Sequence, residues 1–220
     1  MGDWVKGKRS GKGIMTLASG EKYIGEFASN VREGNGINVF SNGNVCNGHW
    51  KAGKMYGKGT YTYSNGEVYV GDFVDGMREG TGIEILPNRQ VYDGQFQASR
   101  KCGAGKITWP SGEKYVGQLA NGVREGIGTN YYSDGRICEG SYKADKPVKG
   151  LLAWPSGEKY EGEFVNWNRE GHGVMRYADG SVYSGEWKGD KREGRGRFVS
   201  ADGETHVGKY KQDKKVDEMK

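Results

Sequence analysis

Residues 69–82 read Tyr69-Val70-Gly71-Asp72-Phe73-Val74-Asp75-Gly76-Met77-Arg78-Glu79-Gly80-Thr81-Gly82. Tyr69, Gly71 and Phe73 alternate with Val70 and Asp72, the period of a strand that turns successive side chains to opposite faces. Asp75-Gly76 supplies a turn, and the run from Arg78 to Gly82 opens a second strand. The stretch therefore encodes a β-hairpin. Its glycine-to-aromatic step returns at Gly2/Trp4, Gly25/Phe27, Gly48/Trp50, Gly94/Phe96, Gly140/Tyr142, Gly162/Phe164, Gly185/Trp187 and Gly208/Tyr210, with Leu119 in the aromatic place after Gly117. The interval is 23 residues throughout, apart from one of 22 before Gly162. A fixed period of this length marks a repeat architecture in which each unit contacts its neighbours. The expected fold is all-β: an elongated single-sheet repeat solenoid of about nine and a half antiparallel β-hairpins, each of 23 residues.

Turn chemistry supports this. Each unit closes on a pair such as Asn42-Gly43, Asn65-Gly66, Asp134-Gly135 or Asp179-Gly180, with Asn88-Arg89 as the exception. The hairpin turn carries Gly at 53, 76 and 122, Asn at 30, and Asp at 145, 190 and 213, residue types that tolerate positive φ. Gly-x-Gly pairs at 11/13, 34/36, 57/59, 80/82, 103/105, 126/128, 171/173 and 194/196 open strands rather than helices. They read as bare backbone on which aromatic rings lie, and not as phosphate-cradling loops. Two strands per repeat advance the array by about 9–10 Å, on the order of 90 Å in total.

Composition agrees with a thin core. Of 220 residues 40 are glycine, and only 34% are apolar, yet Tyr, Phe and Trp contribute 14, 6 and 6. The net charge of +5 is gathered toward the two ends, too diffuse for the dense basic stripe of a nucleic-acid binder. No stretch reaches the ~20 apolar residues of a membrane span, and no leader opens the chain, so a cytoplasmic protein is expected. Cys46, Cys102 and Cys138 have no disulfide or metal spacing and are read as free thiols. Cys46 and His49 point to opposite faces of a strand, and Cys102, His172 and His206 are isolated, so no metal site and no cofactor are expected. The carboxylates recur with the repeat, as Glu21, Glu67, Glu113, Glu158 and Glu204, forming a solvated or salt-bridged ladder rather than an acid–base pair. No catalytic residue is assigned.

The unit Tyr-x-Gly-x-Phe-x-x-Gly-x-x-x-Gly-x-Gly resembles the MORN repeat (membrane occupation and recognition nexus), and the match runs over essentially the whole chain. The resemblance implies an aromatic-lined groove, here Tyr23, Phe27, Trp50, Tyr69, Phe73, Tyr92, Phe96, Tyr115, Tyr160 and Phe164. It also implies a scaffold at junctions of membrane and cytoskeleton, with cytoskeletal or cortical proteins as partners, and homodimers as in the MORN-only scaffolds of protists. Residues 1–210 form one continuous array and 211–220 a charged tail. Gly2-Asp3-Trp4 joins the register with its Tyr position cut off, as if further repeats precede residue 1.

Two regions are singled out for function. Between residues 88 and 150 the pattern falters at Arg89, Arg100, Cys102, Pro147 and Val148, which is read either as drift or as a bend or contact region. After Tyr210 no second strand is expected, which leaves an open end with an exposed aromatic pair, Tyr183 and Trp187. Lys191, Arg192, Arg195, Arg197, His206 and Tyr210 complete that end as a dimerisation surface. The Arg-Glu pairs at 32/33, 78/79, 124/125, 169/170 and 192/193 are read as ion pairs along one edge. The leading expectation is a non-enzymatic scaffold. The alternative is a phosphoinositide-binding peripheral membrane module using anionic lipid headgroups, favoured by the basic ends and interleaved aromatics.

Overall fold

The computed structural model describes residues 2–216. Two compact units divide the chain at Pro110/Ser111. The first carries β1 (Gly2–Val5), β2 (Lys8–Thr16), β3 (Lys22–Ala28), β4 (Val31–Val39), β5 (Val45–Lys51), β6 (Lys54–Thr62), β7 (Val68–Val74), β8 (Met77–Ile85), β9 (Val91–Gln97) and β10 (Arg100–Thr108). The second carries β11 (Lys114–Ala120), β12 (Val123–Tyr131), β13 (Ile137–Lys143), β14 (Lys146–Ala153), β15 (Lys159–Val165), β16 (Asn168–Arg176), β17 (Val182–Lys188), β18 (Lys191–Val199), β19 (Thr205–Lys211) and β20 (Lys214–Val216). Within each unit every strand pairs antiparallel with the next, and no helix occurs among the described residues. The all-β hairpin solenoid expected from the period is the fold.

The second glycine of each Gly-x-Gly pair and the glycine of the Tyr-x-Gly-x-aromatic motif lie opposite one another across neighbouring strands. In the first unit the register runs Gly13↔Gly25, Gly25↔Gly36, Gly36↔Gly48, Gly48↔Gly59, Gly59↔Gly71 and Gly71↔Gly82. In the second it runs Gly117↔Gly128 through to Gly196↔Gly208. This glycine row is the floor on which the tyrosines lie. A Cβ on Gly82 would stand 2.5 Å from Cε2 and from the hydroxyl oxygen of Tyr69. The tyrosine hydroxyl then donates to a backbone carbonyl three residues on, as Tyr69 does to Asp72 at 3.0 Å and Tyr160 to Glu163 at 3.0 Å.

The first glycine of the pair does a different job from the one expected. It is no floor: it takes a left-handed conformation, φ 70° at Gly57 and 64° at Gly80, and forms a bulge where the register shifts. The side chain one strand back ties the bulge down, with Thr81 N–H donating to Asp72 Oδ2 at 3.1 Å and Ile127 N–H to Gln118 Oε1 at 2.9 Å.

The hairpin turns place both central residues at positive φ, for example Ser29 at 49° with Asn30 at 72° and Ala144 at 47° with Asp145 at 69°. The exceptional Asn88-Arg89 keeps the ordinary turn, because Arg89 accepts φ 67° in place of a glycine. One expectation fails at the C-terminal end. Lys214–Val216 pairs with Lys209–Lys211, so a second strand does follow Tyr210. The apolar alternation is lost there, but the turn at Gln212-Asp213 has the same left-handed pair, φ 52° and 67°, and carries the chain back. Residues 217–220 of the tail lie outside the described residues.

Candidate interaction surface

The two faces of the sheet have different fates. On the face of the tyrosines, the ten residues expected to line a groove are all buried, from 0% exposed at Tyr23, Tyr69, Tyr115 and Tyr160 to 4% at Phe27 and Phe164. They are core and not an open groove. Four of the repeat tyrosines are enclosed edge-to-face by the ring of their own repeat and that of the next, for example Tyr23 by Phe27 and Trp50, with centroids 5.1 and 5.3 Å away, and Tyr160 by Phe164 and Trp187 at 5.2 and 5.3 Å, whereas Tyr92 meets Phe96 and Tyr115 meets Tyr142. The tryptophans also donate to the glycine floor, Trp50 Nε1 to the Gly36 carbonyl at 3.0 Å and Trp187 Nε1 to that of Gly173 at 3.2 Å. Burial pushes the Tyr23, Tyr69, Tyr92 and Tyr183 hydroxyls up to about 12.

A cation covers the rings of these repeats, an arginine in most and Lys101, 5.1 Å over the ring, at Tyr92. The Arg169 guanidinium stands 4.4 Å over the Trp187 ring and 5.8 Å from that of Tyr160. Its Nη2 donates to the Asp190 carbonyl at 2.7 Å and its Nε to Asp190 Oδ1 at 3.1 Å. The neighbouring Glu170 goes the other way and accepts from Gly189 N–H at 2.9 Å. The same division recurs for Arg32, which reaches the Gly53 carbonyl, and Glu33, which accepts from Ala52 N–H. Among the described residues the Arg–Glu pairs do not form the expected row of ion pairs along one edge. Arginine and glutamate are adjacent in a strand, so they leave on opposite faces, and each binds the turn of the following repeat separately. The carboxylates after the closing turn do meet arginine, as Glu21 with Arg32 at 3.2 Å and Glu67 with Arg78 at 3.4 Å.

The aromatic pair expected to be bare at the C-terminal end is covered. Tyr183 is fully buried, Trp187 is 3% exposed and Tyr210 6%, because Tyr183 packs edge-to-face on both others. Arg192 is drawn inward, 5.2 Å over the Tyr210 ring with its Nη2 donating to the Asp213 carbonyl at 2.8 Å. Lys191, Arg195, Arg197 and His206 are exposed. In the interrupted region Arg89 and Arg100 are surface residues, Cys102 is half-buried, Pro147 is buried and Val148 is exposed. All three cysteines are free, and burial pushes the Cys46 thiol up to about 12 and the Cys138 thiol up as well, which suppresses thiolate.

One residue escaped the sequence reading. Trp167 occupies the turn position held by Asp145 and Asp190 elsewhere, at φ 73°. Those aspartates accept from a backbone N–H, Asp145 from Arg124 and Asp190 from Arg169, both at 2.9 Å. The corresponding residue here is Pro147, which has no N–H to give. Trp167 packs instead against Tyr132 and Tyr142, with Arg124 5.1 Å over its ring. The signal lay in the sequence as the pairing of a proline with a tryptophan one repeat later.

The opposite face is open. Ile14, Ile24 and Ile37 stand in register beside Gly13, Gly25 and Gly36, exposed by 44, 41 and 39%. They form one wall of a groove of about 680 Å³, floored by those glycines and faced by Lys12, Glu26 and Asn35. A second groove of about 550 Å³ continues the pattern over Gly59, Gly71 and Gly82 with Val70 and Ile83 on its apolar side. In the other unit a groove of about 400 Å³ lies over Gly162, Gly173 and Gly185, where Val174 is the one aliphatic lining residue beside Lys149, Glu161 and His172. Among the described residues no cluster of three or more His, Cys, Asp or Glu could hold a metal ion.

The MORN repeat family matches residues 1–22, 23–45, 46–68, 69–91, 92–114, 115–135, 160–182 and 183–205. The unmatched stretch between them folds as β13 and β14, the hairpin that has Cys138 in the Tyr place and Pro147 in the Arg place. No curated protein matches the chain. Among solved structures, the wild-type TCP10 domain of Danio rerio CPAP is similar at 16% identity, covering 89% of this chain and 93% of that one, with a TM-score of 0.52. The same domain in complex with a peptide of Danio rerio STIL is similar at 16% identity over 90% and 93%, TM-score 0.51. At that identity the likeness is one of fold. The match of the family's repeat to most of the sequence, with the hairpins and glycine register that the repeat encodes, makes this chain a member of the MORN repeat family.

Proposed function

We propose that this protein is a non-enzymatic scaffold that holds protein partners on the glycine-floored face of its sheet. The observation that carries the reading is the division of labour between the faces. The rings are consumed as core, whereas Ile14, Ile24 and Ile37 remain exposed beside bare backbone. Exposed aliphatic side chains in register on a rigid floor are what a partner segment can bury. The TCP10 domain of Danio rerio CPAP, similar in fold, is known in complex with a peptide of a protein partner, Danio rerio STIL, which supports the reading. The reading extends to a cytoplasmic protein at the cytoskeleton or membrane cortex. It includes self-association through the C-terminal hairpins, for which Lys191, Arg195, Arg197 and His206 are the exposed groups. Light scattering over a range of concentrations tests that part: a particle of one chain's mass throughout would remove it.

A photo-crosslinking amino acid placed at Ile24 tests the main reading, with the same probe at exposed Asp202, in a closing turn of the second unit, as control. Discrete adducts at Ile24 and none at Asp202 are expected in cells. Identical smears from both positions would sink it. The phosphoinositide-binding alternative draws its support from exposed Arg195 and Arg197 on either side of Gly196, and anionic vesicles are among the probes below.

A further inference from the structure

At the hairpin tips of the second unit, lysines face lysines. Lys143 is paired directly with Lys146, Lys188 with Lys191, and Lys211 with Lys214. All six are exposed, and none has a carboxylate within ion-pair distance among the described residues. Nearby acids are engaged elsewhere: Asp145, Asp190 and Asp213 each hold an arginine from the inner face, Arg124, Arg169 and Arg192. Glu125 and Glu170 accept backbone N–H groups of Ala144 and Gly189. Lys146 and Lys191 donate to neutral side-chain oxygens of the following turns, Asn166 Oδ1 and Gln212 Oε1, both at 2.7 Å, which positions their charge without cancelling it.

Like charges directly opposite each other in an antiparallel pair destabilise the free sheet. One other tip, that of β5/β6, also sets Lys51 opposite Lys54, but there Lys54 reaches Asp75 at 3.9 Å and Lys51 lies 4.9 Å over the Tyr56 ring. Elsewhere tips pair Ala28 with Val31, Val74 with Met77 and Ala120 with Val123. A cost repeated at the same place in three hairpins of one unit is offset when an anion lies across the pair. We propose that the tips of β13/β14, β17/β18 and β19/β20 form a docking row for an acidic segment of a partner protein. It rests on the reading of the chain as a scaffold and adds a second surface to the glycine-floored face.

An acidic segment fits better than a bilayer. The first two lysine tips are four strands apart, about 20 Å, and the last two are two strands apart, about 10 Å, and neighbouring strands in a sheet rotate by about 20–25°. A flat surface therefore meets one or two tips, while a flexible chain follows them all. Trp167, at the tip between the first two lysine pairs, is held against Tyr132 and Tyr142 rather than offered for insertion.

The test uses the full chain and a labelled oligoglutamate peptide at low salt. Its comparison is between K143Q/K188Q/K211Q and a control that removes equal charge elsewhere, K6Q/K22Q/K106Q. The tip variant is expected to bind roughly tenfold more weakly and to melt no lower than wild type. The control should bind nearly as wild type. Equal weakening of both variants would show diffuse attraction and overturn the row, as would oligoglutamate binding unaffected by the tip changes. Binding of phosphatidylserine vesicles without binding of oligoglutamate would make the tips a membrane contact and overturn the protein partner. Failure at the tips with discrete adducts from Ile24 intact would remove this surface alone; loss of both would remove the scaffold reading as well.

Discussion

Met55 stands in for the ring that Cys46 does not supply: its methyl carbon lies over the glycine floor, 3.0 Å from where a Cβ on Gly48 would be. Both residues are buried, Cys46 at 2% and Met55 at 4% exposure, and Met55, opposite Trp50, occupies the place that arginine takes opposite the ring in most tyrosine-bearing repeats, as Arg32 opposite Phe27. One exchange has been answered by another. Cys46→Tyr alone is expected to overpack the site by about 1–3 kcal/mol, and Met55→Arg alone to uncover it at a cost of about 2 kcal/mol. The double change, which restores the common pair, should cost much less than the two together. Denaturant unfolding of the four proteins measures the coupling, and simple additivity would refute it.

The two glycines of the Gly-x-Gly pair should respond differently to alanine. Gly82→Ala drives a methyl group into the Tyr69 ring and is expected to destabilise by about 3 kcal/mol. Gly57→Ala meets nothing within 4 Å and strains only a backbone at φ 70°, at about 1 kcal/mol. Thermal or urea unfolding distinguishes them; equal losses would contradict the separation of floor from bulge.

Arg169 links one repeat to the next through its backbone-directed fork and its stacking on Trp187. Arg169→Lys keeps the charge but loses the paired donors to Asp190, and about 1–2 kcal/mol of stability is expected to go with them. Glu170→Gln preserves an acceptor for Gly189 N–H and should cost below about 0.5 kcal/mol. Stability that follows charge rather than geometry would reverse this order.

Alkaline pH should unfold the array in a narrow window. The hydroxyls of Tyr23, Tyr69, Tyr92 and Tyr183 ionise near the ordinary value of 10.0 when unfolded and at about 12 when folded. Raised folded values mean that the contribution is complete below the unfolded value and is lost as pH rises through the folded one. Stability should therefore be insensitive to these groups up to mildly alkaline pH and fall between the two values. Tyrosinate absorbance followed with circular dichroism checks it, and titration of these tyrosines near 10 without loss of structure would exclude the burial.

The period, the hairpins, their left-handed turns and the family were legible in the sequence, since each depends on residues within about one repeat. At Gly25, Gly48 and Gly71 the same local pattern repeats with the same neighbours. The places of Arg89 and Asp213 in ordinary turns show how far that regularity carries.

What the chain could not reveal locally was the destination of side chains that leave a strand toward another repeat. Tyr183 and Trp187 look exposed until Tyr210 is laid against them, and Arg169 and Glu170 look paired until the strand sends them to opposite faces. Trp167 answers Pro147 from the following repeat, and the facing lysines at the tips emerge from register across a turn. Sequence alone determined the repeat and its hairpins, because turn chemistry and strand alternation act over a few residues. Tertiary structure decided which face is core and which is open, because burial, ring packing and charge neutralisation are fixed only when neighbouring hairpins stack.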